Sequence, residues 1–148
     1  MSRIIIAFAS MTGNTEEMAD AIAEGLKEAS IEPVVKNVVD TNAKEITHYD
    51  GIILGSYTWG DGDLADDFLD FYDEMDGIQL DGKKAAVFGS CDSSYSEYGA
   101  AVDTLVKKLK ELGAEVTLEG LKIELSPSKD DKALCRNFGK QFVQSLYV

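Results

Sequence analysis

The run Ile4-Ile5-Ile6-Ala7-Phe8-Ala9-Ser10-Met11-Thr12-Gly13-Asn14-Thr15 decides how this chain folds. Its first six residues are apolar and rich in β-branched side chains, which suits a strand buried on both faces better than a helix. From Glu16 the period changes. Met18, Ile22 and Leu26 recur every four residues and so share one helical face. Ser10–Thr15 therefore joins a central strand to a helix whose first N–H groups lack intrahelical partners. Gly13 permits a tight turn at positive φ, and Ser10, Thr12 and Thr15 add hydroxyl donors. That combination suits a phosphate. The loop alone is also open to a plainer account, a strand–turn–helix junction with Thr15 as N-cap.

What the loop omits narrows the ligand. Neither Gly-x-x-x-x-Gly-Lys-Ser/Thr nor Gly-x-Gly-x-x-Gly is present, which excludes the triphosphatase and dinucleotide fingerprints. No Lys or Arg lies between Arg3 and Lys27. An anion here is met by neutral donors and the helix dipole, which favours a single phosphomonoester.

Outward from that loop, Glu32–Lys36 reads as a short strand that Val38-Val39 would extend. Gly51–Gly55 and Lys84–Gly89 read as buried strands. Val116–Leu118 and Leu121–Leu125 read as two pieces of a last strand broken around Glu119-Gly120. Helices follow, with stripes at Phe68, Phe71, Tyr72 and Met75, then at Val102, Leu105, Val106, Leu109 and Leu112 up to Gly113. Ser126-Pro127-Ser128 opens the final helix, with Leu134, Phe138, Phe142 and Leu146 as its stripe. Strands alternating with helices predict an α/β, doubly wound, five-stranded parallel sheet with helices on both faces, forming one domain over residues 1–148.

In such sheets ligands bind beyond the carboxyl ends of the strands. Three loops there carry unusual chemistry: Ser10–Thr15, Ser56–Asp63 and Ser90–Gly99. The first offers phosphate donors, and the others each offer a planar aromatic, Trp59 and Tyr95. The pattern points to flavin mononucleotide (FMN), a phosphate and a flat ring held between aromatics. Trp59 as a lid on the core is the blander alternative.

The 148 residues carry 14 basic and 27 acidic groups, a net charge of −13. That balance argues against nucleic acid and anionic membranes and favours partners with basic surfaces. The chain has no apolar stretch of spanning length and opens straight into a strand, so the expectation is a cytoplasmic protein. Cys91 and Cys135 form no Cys-x-x-Cys, and no metal site is indicated.

Ser10-x-Thr12-Gly13-Asn14-Thr15, Thr58-Trp59-Gly60-Asp61-Gly62 and Asp92-Ser93-Ser94-Tyr95, in that order and spacing, resemble the short-chain bacterial flavodoxins, above all those of Bacillus-like bacteria. The resemblance spans essentially the whole chain and implies strand order 2-1-3-4-5. It implies that Ser10, Met11, Thr12, Gly13, Asn14 and Thr15 surround the FMN phosphate. Trp59 covers the inner flavin face within Tyr57, Thr58, Gly60, Asp61 and Gly62, and the Gly60 carbonyl accepts a hydrogen bond from a protonated flavin N5. Tyr95 covers the outer face, with Ser90, Cys91, Asp92 and Tyr98 around the pyrimidine edge. Two positions depart from the pattern: Cys91 stands where many relatives have Gly, and Tyr57 where some have a small hydroxyl residue.

The function this implies is a low-potential one-electron carrier, not an enzyme, working as a monomer between a flavodoxin reductase-type donor and acceptor oxidoreductases with basic docking faces. An FMN-dependent NAD(P)H:quinone reductase on the same architecture is the alternative, which Tyr95 over the outer face disfavours. A response-regulator receiver would need acidic residues where Phe8-Ala9-Ser10 stand. A low-molecular-weight tyrosine phosphatase would need Cys-x-x-x-x-x-Arg in the first loop, and neither pattern is there.

Overall fold

The structure, a computed structural model, describes residues 3–9, 13–59, 63–91, 99–124 and 127–146, with Trp59 and Asp63 described by their backbone alone. The elements run β1 (Ile4–Ala9), α1 (Asn14–Glu28), β2 (Val34–Asn37), β3 (Gly51–Ser56), α2 (Asp66–Glu74), β4 (Lys84–Cys91), α3 (Ala100–Glu111), β5 in two pieces (Glu115–Val116 and Leu121–Glu124) and α4 (Lys129–Ser145). All the pairings in this sheet are parallel, in the order β2-β1-β3-β4-β5.

Strand alternation divides the core in two. Ile5, Ala7 and Ala9 of β1, with Ile52 and Leu54 of β3 and Ala85 and Val87 of β4, pack under α2 and α3. Ile4, Ile6 and Phe8, with Ile53, Ala86 and Phe88, pack under α1 and α4. Because both faces are covered, these strands read as unbroken apolar runs rather than alternating ones. The α1 stripe is as expected, with Met18, Ile22 and Leu26 fully buried. So is the stop of α3. Gly113 sits at φ 97° and donates to Lys110 O while Ala114 donates to Leu109 O, both at 3.1 Å, a Schellman closure.

Two local expectations are corrected. Val38-Val39 does not extend β2, because the Asn37 side chain accepts the Val39 N–H at 3.1 Å and turns the chain into a 3₁₀ segment, Val38–Asp40. Leu134 does not join the α4 stripe. It is 53% exposed, and Cys135 is buried in its place beside Phe138 and Phe142. The cause is the approach of α1: a Cβ on Gly139 would lie 2.5 Å from Ile22 O, and one on Gly25 2.0 Å from Arg136 O. The seam follows these small residues, which turns the helix by about one position.

Candidate functional site

The carboxyl ends of β1, β3 and β4 finish close together, with Ala9 paired to Ser56 and Gly55 to Phe88. The chain therefore leaves all three strands at one edge of the sheet. Of the residues expected to bind the cofactor, Gly13, Asn14, Thr15, Tyr57, Thr58, Trp59, Ser90 and Cys91 are brought to this edge. Ser10, Met11, Thr12, Gly60, Asp61, Gly62, Asp92, Tyr95 and Tyr98 lie outside the described residues, as does the Trp59 side chain.

At the first loop, α1 starts on Gly13 at φ 90°, with the Glu17 N–H donating to Gly13 O at 2.9 Å. Gly13, as the residue before the helix, brings no capping side chain of its own. Thr15 is not the N-cap of the plainer account: it lies inside the first turn, buried, with its Oγ1 2.7 Å from the Oγ of buried Ser90. A hydroxyl has one proton and two acceptor sites. Either hydroxyl can donate in this pair, which uses one of their two protons. A Cβ at Gly13 would meet nothing within 4 Å. Lys132, which approaches this turn from α4, is paired with Glu17 at 3.6 Å, leaving the negative charge of an anion to neutral donors and the dipole.

At the second loop, residues 58–59 and 63–64 form a short antiparallel ladder, Thr58 against Leu64 and Trp59 against Asp63. Its base is fastened by Ser56, whose buried hydroxyl accepts the Ala65 N–H at 3.3 Å and donates to Tyr57 O at 2.8 Å. The sequence marks Ser56 only as the first residue of its loop, and a serine ending an apolar strand is the one signal of this bracing role. Tyr57 packs on the α2–α3 core, the face away from α1. Burial and then the charges of Asp67 and Asp66 raise its pKa, against an opposing bond from the Asp66 N–H. Its phenol thus points to α2. Thr58 Oγ1 accepts the Ala101 N–H at 3.3 Å, at the start of α3.

At the third, Ser90 and Cys91 close β4 opposite Ile123 and Glu124. The Cys91 thiol faces Gly89 O at 3.7 Å, and burial pushes its pKa up to about 11, so it is a neutral packing group at neutral pH. Gly89 permits this crossing, since a Cβ there would lie 2.2 Å from Ser56 O. Below the edge, Asp66, Asp67, Asp70, Asp73, Glu74 and Asp76 are all exposed on α2 and the turn after it. No helix among the described residues is long and apolar enough to cross a membrane.

A parallel doubly wound sheet with a glycine-started first helix, a braced Thr58–Leu64 ladder and a small-residue strand end on one edge defines an α/β protein of the class that binds its ligands beyond the carboxyl ends of the strands. The flavodoxin family profile matches residues 6–139. Probable flavodoxin 2 of Bacillus subtilis is 46% identical over 145 residues, covering 97% of this chain and 96% of that protein. The crystal structure of oxidised flavodoxin 1 from Bacillus cereus superposes with a TM-score of 0.94 at 60% identity, covering 97% of this chain and 98% of that one. Oxidised flavodoxin 2 from the same species gives 0.93 at 47% identity, covering 97% and 99%. The chain belongs to the flavodoxin family, in its short-chain Bacillus-like class. It is an FMN-binding electron-transfer protein, not an enzyme.

Proposed function

We propose that this protein is a low-potential one-electron carrier between a flavodoxin reductase-type donor and acceptor oxidoreductases. The observation that carries the reading is the meeting of three loop ends on one edge, with Thr15 bonded to Ser90 across it. In this reading Ser10, Thr12, Asn14 and Thr15 hold the FMN phosphate with backbone and hydroxyl donors. Trp59 and Tyr95 cover the two ring faces, and Asp92 with its neighbours addresses the pyrimidine edge. FMN supplies the redox centre; the chain orients it and sets its potentials.

Charge supports a low potential. Asp61, Asp63 and Asp92 belong to the ring-bearing loops, and none of the three loops contains a basic residue. One unit charge about 8 Å from an added electron, at an effective dielectric of about 20, opposes it by roughly 2 kcal/mol. Solvent screening reduces that to tens of millivolts per charge, at about 59 mV per ~1.4 kcal/mol. The run from Asp61 to Asp76 holds eight acidic residues and no basic one, a surface that steers basic docking faces of redox partners. The unpaired thiols Cys91 and Cys135 suit a reducing cytoplasm. The scattered exposed apolar residues among those described, such as Val39 and Leu134, suit a monomer.

The test is a titration of the apoprotein with FMN and with riboflavin, followed by stepwise dithionite reduction of the loaded protein. Several neutral donors at about 0.5–1.5 kcal/mol each give FMN an advantage on the order of 10²–10³-fold. Reduction is expected in two separated one-electron steps. Equal affinity for the two flavins removes the phosphate assignment, and a single two-electron step removes the carrier role.

A further inference from the structure

The four helices of the sheet layers begin in different ways. α4 caps itself: Ser128 accepts the Asp131 N–H at 3.1 Å while Asp131 accepts the Ser128 N–H at 2.9 Å. α2 and α3 begin on Ala65 and Gly99, which supply no capping side chain. Their open N–H groups are met instead by three consecutive residues at the end of β3. Ser56 takes the Ala65 N–H, the Tyr57 phenol meets that of Asp66, and Thr58 takes that of Ala101.

The last of these bonds does more than finish a helix. Ala101 is the second helical residue after Gly99, the place where an N-cap side chain ordinarily accepts. Here the oxygen comes from 43 residues earlier in the chain. Thr58 immediately precedes Trp59, and α3 is the element into which the Asp92–Tyr98 segment runs. One hydroxyl thus fastens the strand that carries Trp59 to the first turn of α3.

We propose that Thr58 is a positioning residue for the flavin site, acting through its hydroxyl on the Ala101 N–H to hold the Thr58–Trp59 strand against the start of α3. The proposal rests on the FMN reading above and adds to it a role for the side chain of Thr58 apart from any backbone contact with the cofactor. A valine of the same shape keeps the packing and loses the acceptor, whereas serine keeps the acceptor.

The experiment compares wild type, Thr58→Val and Thr58→Ser as purified full-length chains. FMN dissociation constants are measured where urea curves show each apoprotein to be folded, and visible circular dichroism is recorded on the loaded proteins. Thr58→Val is expected to bind FMN about tenfold more weakly, with an altered visible dichroism. Thr58→Ser is expected within about twofold of wild type, with the wild-type spectrum. Ala101→Pro removes the donor from the other side and serves where Thr58→Val does not fold. Combined with Thr58→Val, it should cost no more than the costlier of the two alone, since the two groups act as one pair. The proposal is overturned if Thr58→Val (or, in its place, Ala101→Pro) keeps both affinity and spectrum, or if Thr58→Ser loses as much as Thr58→Val. Wild-type apoprotein that takes up no FMN overturns the cofactor reading itself, a result distinct from either.

Discussion

Cys91 and Cys135 show how much a side chain's setting governs its chemistry. Burial is the main cause that lifts both thiols from an ordinary 9.0, Cys91 to about 11 and Cys135 to about 12. A raised pKa in the folded state gives stability that is whole below about pH 9 and fades as pH climbs through the folded value. At pH 10 the unfolded chain gains about 1 kcal/mol from each ionised thiol that the folded chain does not. Cys135→Ala carries a fixed packing loss at any pH but removes one of these titrations. Its penalty in urea unfolding is therefore expected to shrink by about 1 kcal/mol between pH 7 and pH 10. An equal penalty at both values would mean that the thiol ionises as readily folded as unfolded. The same dependence on setting limits what the sequence discloses. The hydroxyls of Thr15 and Thr58 were legible as polar groups in site loops. Their partners, Ser90 and Ala101, lie 75 and 43 residues away and are chosen only by the docking of one element on another.

Among the elements, the contact of α1 with α4 is the most exacting. Glycine within a helix ordinarily costs about 0.5–1 kcal/mol relative to alanine, so propensity alone predicts that Gly25→Ala and Gly139→Ala stabilise. Here the sign reverses. The new methyl would meet backbone oxygens, which cannot swing aside: Arg136 O at 2.0 Å for position 25 and Ile22 O at 2.5 Å for position 139. Each substitution is expected to lower stability by about 1–3 kcal/mol, more at Gly25, with a fall of roughly 2–4 °C in Tm per kcal/mol. Thermal and urea unfolding of the two variants check this, and a rise in Tm would contradict the close approach. Ion pairs of Lys132, Arg136 and Lys140 with Glu17, Glu24 and Glu28 run along the same seam at 3.2–3.6 Å. They are exposed enough to contribute only fractions of a kcal/mol each. The strands and the α1 stripe were readable from periodicity, because burial on both faces leaves long apolar runs. Leu134 misled because a four-residue repeat cannot reveal that a glycine lets the neighbouring helix come close. Asn37 ended β2 through a side-chain bond that competes with the ladder, and composition does not mark that.

Seen whole, the sheet is continuous in its middle and interrupted at β5. Five steps of chain lead from Val116 to Leu121 while three lead between their partners on β4, Ala85 and Phe88, so two residues are surplus to the register. Gly120 is confined against Val102, where a Cβ would come within 2.5 Å of a side-chain carbon, which leaves the Leu118–Glu119 junction as the point of freedom. Six Gly/Ser residues inserted there lengthen a connection of about four residues to about ten, an entropic cost of about 0.8 kcal/mol. Urea midpoints are expected to fall by about that much, with FMN affinity unchanged; loss of FMN binding would show that the break is part of the site. Length is thus negotiable at a single seam, and a bulkier descendant of this domain, or a grafted peptide tag, could be accommodated there with the cofactor edge left as it stands.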